Sequence, residues 1–187
     1  VLDDVVKTYD LRGLVGSQLT NEMMVALGSA FARFVSSQKV IIGHDMRPSS
    51  PEFAEAFGVG VNNFGKGVVL LGLCSTDQTY FASGSLDLPA VMFTASHNPA
   101  SYNGIKFSNS GATGISYDTG LSEIKQIAKE YMQFPLPNLE RNFENYDSLL
   151  NYAKYLKSMV QIPSNSIRVV VDAANGMGGL TVPAVLS

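Results

Sequence analysis

Four short apolar runs rich in β-branched residues, at 39–43, 68–73, 89–93 and 167–172, each end in a cluster of Gly, Ser, Asn or Asp. Runs of this length bounded by turn residues read as strands, and helix-period patterns lie between them. Alternation of strand and helix constrains the chain to an α/β architecture: a mostly parallel, or mixed, sheet sandwiched by helices with right-handed connections. In such a sheet the functional loops gather at the carboxyl ends of the strands.

The helical segments carry their own start signals. Thr20 or Asn21 caps a segment in which Met24, Leu27, Phe31 and Phe34 recur at three- and four-residue spacing. Ser49-Ser50-Pro51-Glu52 pairs a serine with a glutamate three residues on and puts a proline in the first turn, which opens a second helix. Two more helices are expected around 121–133 and 147–160, separated by the irregular Phe134-Pro135-Leu136-Pro137-Asn138. A new strand follows Ile162-Pro163-Ser164-Asn165-Ser166, so the first domain spans 1–160 and a second unit begins within 161–187. What remains is too short for a βαβ unit, which needs roughly 30 residues. The second unit is therefore expected to be truncated, with Val169, Val170 and Val171 lacking sheet neighbours. Residues beyond about 165 are expected to lack order or to contact another chain through an exposed edge.

Composition excludes several classes. The 187 residues, 45% hydrophobic and 16% charged, suffice for one well-buried domain plus part of another. A net charge of -3 with unclustered Lys and Arg argues against nucleic acid as a partner. No apolar stretch approaches the roughly 18 residues of a membrane span. The single cysteine, Cys74, cannot form an intrachain disulfide and adjoins an apolar run, as an inert core thiol would. A reducing cytoplasm fits. The chain opens at Val1, which leaves room for a preceding leader.

The most distinctive loop is Thr94-Ala95-Ser96-His97-Asn98-Pro99, directly after the apolar run Pro89-Ala90-Val91-Met92-Phe93. This places the Ser96 hydroxyl at the mouth of the sheet, and Pro99 stops the loop from continuing as helix. An acyl hydrolase would require Gly-x-Ser-x-Gly, whereas Thr94 and Asn98 flank the serine here. A serine that merely caps a turn leaves two other stretches unexplained: Lys7-Thr8-Tyr9-Asp10-Leu11-Arg12-Gly13 and Tyr102-Asn103-Gly104-Ile105-Lys106-Phe107.

These stretches occur with Gly43-His44-Asp45-Met46-Arg47, Ser49-Ser50-Pro51-Glu52-Phe53, Leu71-Gly72-Leu73-Cys74-Ser75-Thr76 and Val169-Val170-Val171-Asp172-Ala173-Ala174-Asn175-Gly176-Met177-Gly178-Gly179. In this order they resemble the N-terminal part of the α-D-phosphohexomutases, in the phosphomannomutase/phosphoglucomutase branch. The resemblance covers essentially the whole chain and implies the domain I fold of phosphoglucomutase. His44 departs from it, since relatives usually carry arginine there. An imidazole in that place would weaken a pairing with a neighbouring carboxylate.

The resemblance implies that Ser96 carries a phosphoryl group, adding a charge of about -1.5 to -2 and three acceptor oxygens. Arg12 and Lys106, read as lying in glycine-containing loops, are then the cations that receive it. His97 orients the substrate or the serine hydroxyl, or else is a structural loop histidine; Asn98 is a substrate contact. Tyr9 touches the sugar as it reorients, or packs at a domain seam. The implied reaction is that of an isomerase, an intramolecular phosphotransferase. It interconverts hexose 6-phosphate and hexose 1-phosphate, of mannose or glucose, through a hexose 1,6-bisphosphate that is also the activator. Mg²⁺ would bind an oxygen of phospho-Ser96, with its carboxylates in the remaining domains of the same enzyme. The portion 1–187 alone is then expected to be inactive. A competing reading takes Asn175-Gly176-Met177-Gly178-Gly179-Leu180-Thr181 as a dinucleotide fingerprint after a strand, although Thr181 replaces the third glycine. An interaction module without catalysis is the other alternative, and it predicts no phosphate on Ser96.

Overall fold

The structure, a computed structural model, describes residues 2–134, 141–160 and 168–186. Helices α1 (Leu2–Val5), α2 (Asn21–Phe34), α3 (Ser50–Asn63), α4 (Thr76–Leu86), α5 (Ser122–Tyr131), α6 (Leu149–Met159) and α7 (Gly178–Leu186) surround the strands. The strands are β1 (Leu11–Leu14), β2 (Lys39–His44), β3 (Gly67–Leu73), β4 (Ala90–Phe93), β5 (Tyr102–Asn109), β6 (Thr113–Gly114) and β7 (Phe143–Asn145). They form one sheet in the order β1-β5-β4-β2-β3-β7, with β6 paired to β5. The β2–β3, β2–β4 and β3–β7 pairings are parallel, and those of β5 with β4, β1 and β6 are antiparallel. The sheet is therefore mixed.

Its central strands read as unbroken apolar runs because both faces are covered. Val40, Ile42, Val68 and Val91 enter a core shared with α2, α3 and α5, while Ile41, Val69 and Ala90 enter a second core with Ala82 of α4. Successive residues thus face opposite layers. In the larger core Phe31 meets Phe107 edge-on at 5.3 Å, and Phe57 meets Phe93 at 5.6 Å. Such pairs add about 0.5–1.5 kcal/mol beyond their buried area. Helices α2 and α3 touch backbone to backbone where Gly28 faces Gly60. A Cβ on Gly28 would collide with the Phe57 carbonyl, and one on Gly60 with that of Val25.

Local start signals behave unequally. Thr20 caps α2 as expected, its Oγ1 accepting from the Met23 N–H at 3.3 Å. The Ser49 hydroxyl makes no capping bond to α3, although the helix begins where expected with Pro51 in its first turn. The helices expected at 121–133 and 147–160 form as α5 and α6. The linker at 135–138 and the boundary at 161–166 lie outside the described residues.

The fourth expected strand does not form. Residues 168–173 have no regular secondary structure, and Ile167 lies outside the described residues. Val169, Val170 and Val171 are 63%, 95% and 50% exposed. An apolar run becomes a strand only when a neighbour supplies the ladder, and none is paired here. Residues 178–186, expected to lack order or to contact another chain, form α7 packed on α6.

Candidate active site

Strand β4 sits in the middle of the sheet, between β2 and β5, and its carboxyl end delivers residues 94–101 to the surface. Ser96 is exposed and has φ 55°, a left-handed conformation that a non-glycine residue adopts at a cost of order 1–3 kcal/mol. Its N–H donates to Thr94 Oγ1 at 3.0 Å, and its Oγ lies 3.2 Å from His97 Nδ1. The next turn closes through the Asn98 N–H, which donates to the Ala95 carbonyl at 3.1 Å.

The loop is held from beneath by Arg47, which the sequence offered only as part of a motif. Arg47 is 6% exposed, and its two terminal nitrogens donate to four backbone carbonyls: Pro99 (2.8 Å), Tyr102 (2.9 Å), Ser96 (2.9 Å) and Asn98 (2.7 Å). Buried Asp45 balances the charge, with its Oδ2 3.3 Å from Arg47 Nε. Asp45 Oδ1 accepts from the Arg47 N–H and from Ser50 Oγ. Asn103 donates to both Ser49 and Ser50. The serines read as a helix cap therefore tie the helix start to the Ser96 loop. Among the described residues His44 pairs with no carboxylate: its Nδ1 meets the Asp45 carbonyl at 2.9 Å, and Arg47 takes the carboxylate.

Arg12 and Lys106 lie on strands β1 and β5, not in loops as expected. The two strands pair antiparallel, with Arg12 opposite Gly104. Gly104 is required there because a Cβ would strike the Leu11 carbonyl of β1. The resulting cleft, about 730 Å³, is lined by Tyr9, Asp10, Arg12, Asn98, Tyr102 and Lys106 among others, a volume typical of small-molecule sites. Asp10 Oδ2 accepts from Arg12 Nη2 at 2.6 Å and from Lys106 Nζ at 3.4 Å. Arg12 Nη1 donates to Asn98 Oδ1 at 3.0 Å. Tyr9 projects outward, 75% exposed. An adjoining cleft of about 540 Å³ contains Ser96, Met46, Arg47, Asn98, Ala100 and Asn175. Asn98 lines both clefts and is bonded by Arg12, whereas Lys106 reaches only Asp10, so the cationic cleft and the serine's cleft adjoin at one shared residue.

Among the described residues, no group of three His, Cys, Asp or Glu side chains is placed to hold a metal ion. Asp10 is already engaged by two cations, and Mg²⁺ demands an octahedron of oxygens. The described residues do not by themselves fit a Mg²⁺ site. Cys74 is buried, and burial pushes its thiol up to about 11, which makes it the inert core thiol expected. A separate groove of about 690 Å³ lined by Phe81, Tyr152 and Tyr155 shares no residue with either cleft.

Fold and site together define an α/β/α domain that presents a serine at a central strand end beside a cationic cleft. The family profile described as "Phosphoglucomutase/phosphomannomutase, alpha/beta/alpha domain I" matches residues 3–134. The chain belongs to the phosphoglucomutase/phosphomannomutase family. It is 33% identical over 177 residues to a "Phosphomannomutase" of Escherichia coli, covering 92% of this chain and 39% of that protein. It is 35% identical over 182 residues to the "Phosphohexose mutases" protein of Xanthomonas campestris pv. campestris, covering 94% and 40%. A crystal structure of a phosphoglucomutase/phosphomannomutase family protein from Burkholderia thailandensis superposes with a TM-score of 0.80 at 27% identity, covering 97% of this chain and 41% of that one. The chain thus spans about 40% of the length of these relatives.

Proposed function

We propose that Ser96 carries the phosphoryl group of a phosphohexomutase and exchanges it with a hexose phosphate, mannose or glucose, by way of a hexose 1,6-bisphosphate. The observation that carries this reading is Ser96 itself: a non-glycine residue in left-handed geometry at a central strand end, its Oγ 3.2 Å from His97, next to a cleft holding Arg12 and Lys106.

In the forward step the bond between phosphorus and Ser96 Oγ breaks and a bond to a sugar hydroxyl oxygen forms. The proton lost by the sugar hydroxyl is matched by the one Ser96 Oγ takes up, so the exchange is proton-neutral overall, and His97, whose Nδ1 lies 3.2 Å from that oxygen, orients the serine hydroxyl. The reverse step returns the sugar's other phosphoryl group to Ser96. Transfer of this kind depends on in-line positioning and on stabilising charge, and less on covalent activation by the protein. Arg12 and Lys106 stabilise that charge; Asp10 fixes their side chains in advance. Asn98 reports between the two clefts, and exposed Tyr9 is free to follow the reorienting sugar.

Mg²⁺, which the family resemblance implies, would supply further charge neutralisation at a phosphoryl oxygen on Ser96, with its other ligands outside this chain. Binding of the non-reacting phosphate and reading of the sugar likewise belong to the portion of the relatives that this chain does not span, so residues 1–187 alone are expected not to turn over. The dinucleotide reading needs a strand ahead of Gly176, and residues 168–173 form none. No helix among the described residues is long and apolar enough to cross a membrane. We place the protein in the cytoplasm, a compartment that fits a chain with one buried cysteine and no intrachain disulfide. The test is to incubate the parent enzyme with labelled hexose 1,6-bisphosphate and map the label. It is expected on the Ser96 peptide, and label on a different serine overturns the assignment.

A further inference from the structure

We propose that Arg47 is a positioning residue that turns the peptide dipoles of the Ser96 loop so that its free N–H groups receive the phosphoryl oxygens. This rests on the reading of Ser96 as the phosphoryl carrier. All four N–H bonds of the two terminal guanidinium nitrogens end on carbonyls of one short stretch, Ser96, Asn98, Pro99 and Tyr102. Across a planar trans peptide the N–H points opposite to the C=O. With the Ser96 and Pro99 carbonyls drawn onto the guanidinium, the N–H groups of His97 and Ala100 are directed away from it. Neither has a hydrogen-bond acceptor among the described residues, whereas the Ser96, Asn98 and Tyr102 N–H groups all do.

Two donors left open beside an exposed serine, on a loop whose negative dipole ends are collected by a buried cation, form a receptor for an anion. The same four bonds hold Ser96 at φ 55°, a conformation that persists only where its surroundings dictate it. Arg47 reaches the chemistry only through this loop. Lysine cannot replace it, because one ammonium has three donors and no fork.

Amide exchange and an inorganic phosphate titration, followed by NMR on residues 1–187 as wild type and Arg47→Lys, test the proposal. Arg47→Lys keeps a cation beside Asp45 and removes the fork. Exchange at the Asn98 and Tyr102 amides is expected to accelerate by about tenfold or more, while the Ile41 amide, bonded to the Pro89 carbonyl in the sheet, keeps its protection. Phosphate is expected to shift the His97 and Ala100 amide resonances of the wild type and to lose that effect in the variant. Unchanged exchange at the loop amides overturns the proposal, as does a wild-type titration that leaves His97 and Ala100 unmoved. If Arg47→Lys loses protection at Ile41 as well, the wild-type titration decides alone. Neither readout uses the labelled sugar, so a failure to label Ser96 would count against the proposed function and not against this role of Arg47.

Discussion

Two irregular stretches meet at one cleft and are built in opposite ways. Residues 94–101 and the stretch around Asn175 both line it. The first is polar, yet buried Arg47 and Asp45 fasten it at four carbonyls. The second contains three consecutive valines, and Val170 is 95% exposed. Its internal ties are local: Asp172 Oδ1 accepts from the N–H of Ala174, another residue with positive φ, at 2.9 Å, and the Ala173 carbonyl accepts from the Gly176 N–H at 2.7 Å. Apolar content therefore does not decide which loop is held in place. A loop that must present one atom at one position is fixed by directional bonds from a buried charge, because dispersion contacts alone do not select a backbone conformation.

The sharpest way to break this contrast is to remove the buried cation. Arg47→Met leaves the buried Asp45 without its cation and takes a donor from each of four carbonyls, and a loss of about 3–5 kcal/mol in urea unfolding is expected. A loss below about 1 kcal/mol would put the serine loop on the same footing as 168–177. Gly104→Ala comes next: the added methyl meets the β1 backbone where the two cation-bearing strands pair, at an expected cost of about 1–3 kcal/mol by thermal melt. Asp10→Asn removes the carboxylate shared by Arg12 and Lys106. Calorimetric titration with inorganic phosphate should show tighter binding than wild type, together with a stability loss of about 1 kcal/mol. Val170→Ser, in the stretch that has no ladder, should change stability by no more than about 0.5 kcal/mol.

The smallest effect concerns Cys74. Its thiol is raised from an ordinary 9.0 to about 11 by burial, so between those values the unfolded chain ionises first and stability declines as pH rises. Near pH 7 both states keep the proton and Cys74 contributes no pH dependence. Alkylation at pH 8 should require denaturant; rapid labelling of the folded chain would contradict the burial.

The parts legible from sequence are those whose signal is local. β2, β3 and β4 announced themselves as apolar runs, and α2 through its period and its Thr20 cap. Helix α4 escaped notice because its buried face is largely polar: Gln78, Thr79 and Ser83 are covered, with Gln78 donating to Ser148. Strands β1 and β5 were read as loops because their glycines suggested turns. The alternation of buried Ile105 and Phe107 with half-buried Lys106 was the available clue. In 168–172 the error ran the other way, since a strand-like composition formed no strand without a partner.

From the order of its residues alone, this chain determined an α/β sheet, a serine delivered at a strand end, and the motif set that the family profile then matched. Tertiary structure decided that Arg12 meets Asn98 across 86 positions and that Lys106 meets Asp10 across 96. It also gave Arg47 the carbonyls of a loop about 50 positions away in sequence. Strand, cap and turn signals arise from neighbours within a few residues and can be read in order along the chain. A charge finds its partner only after the sheet has closed, because the burial that makes the pairing strong is itself a product of folding.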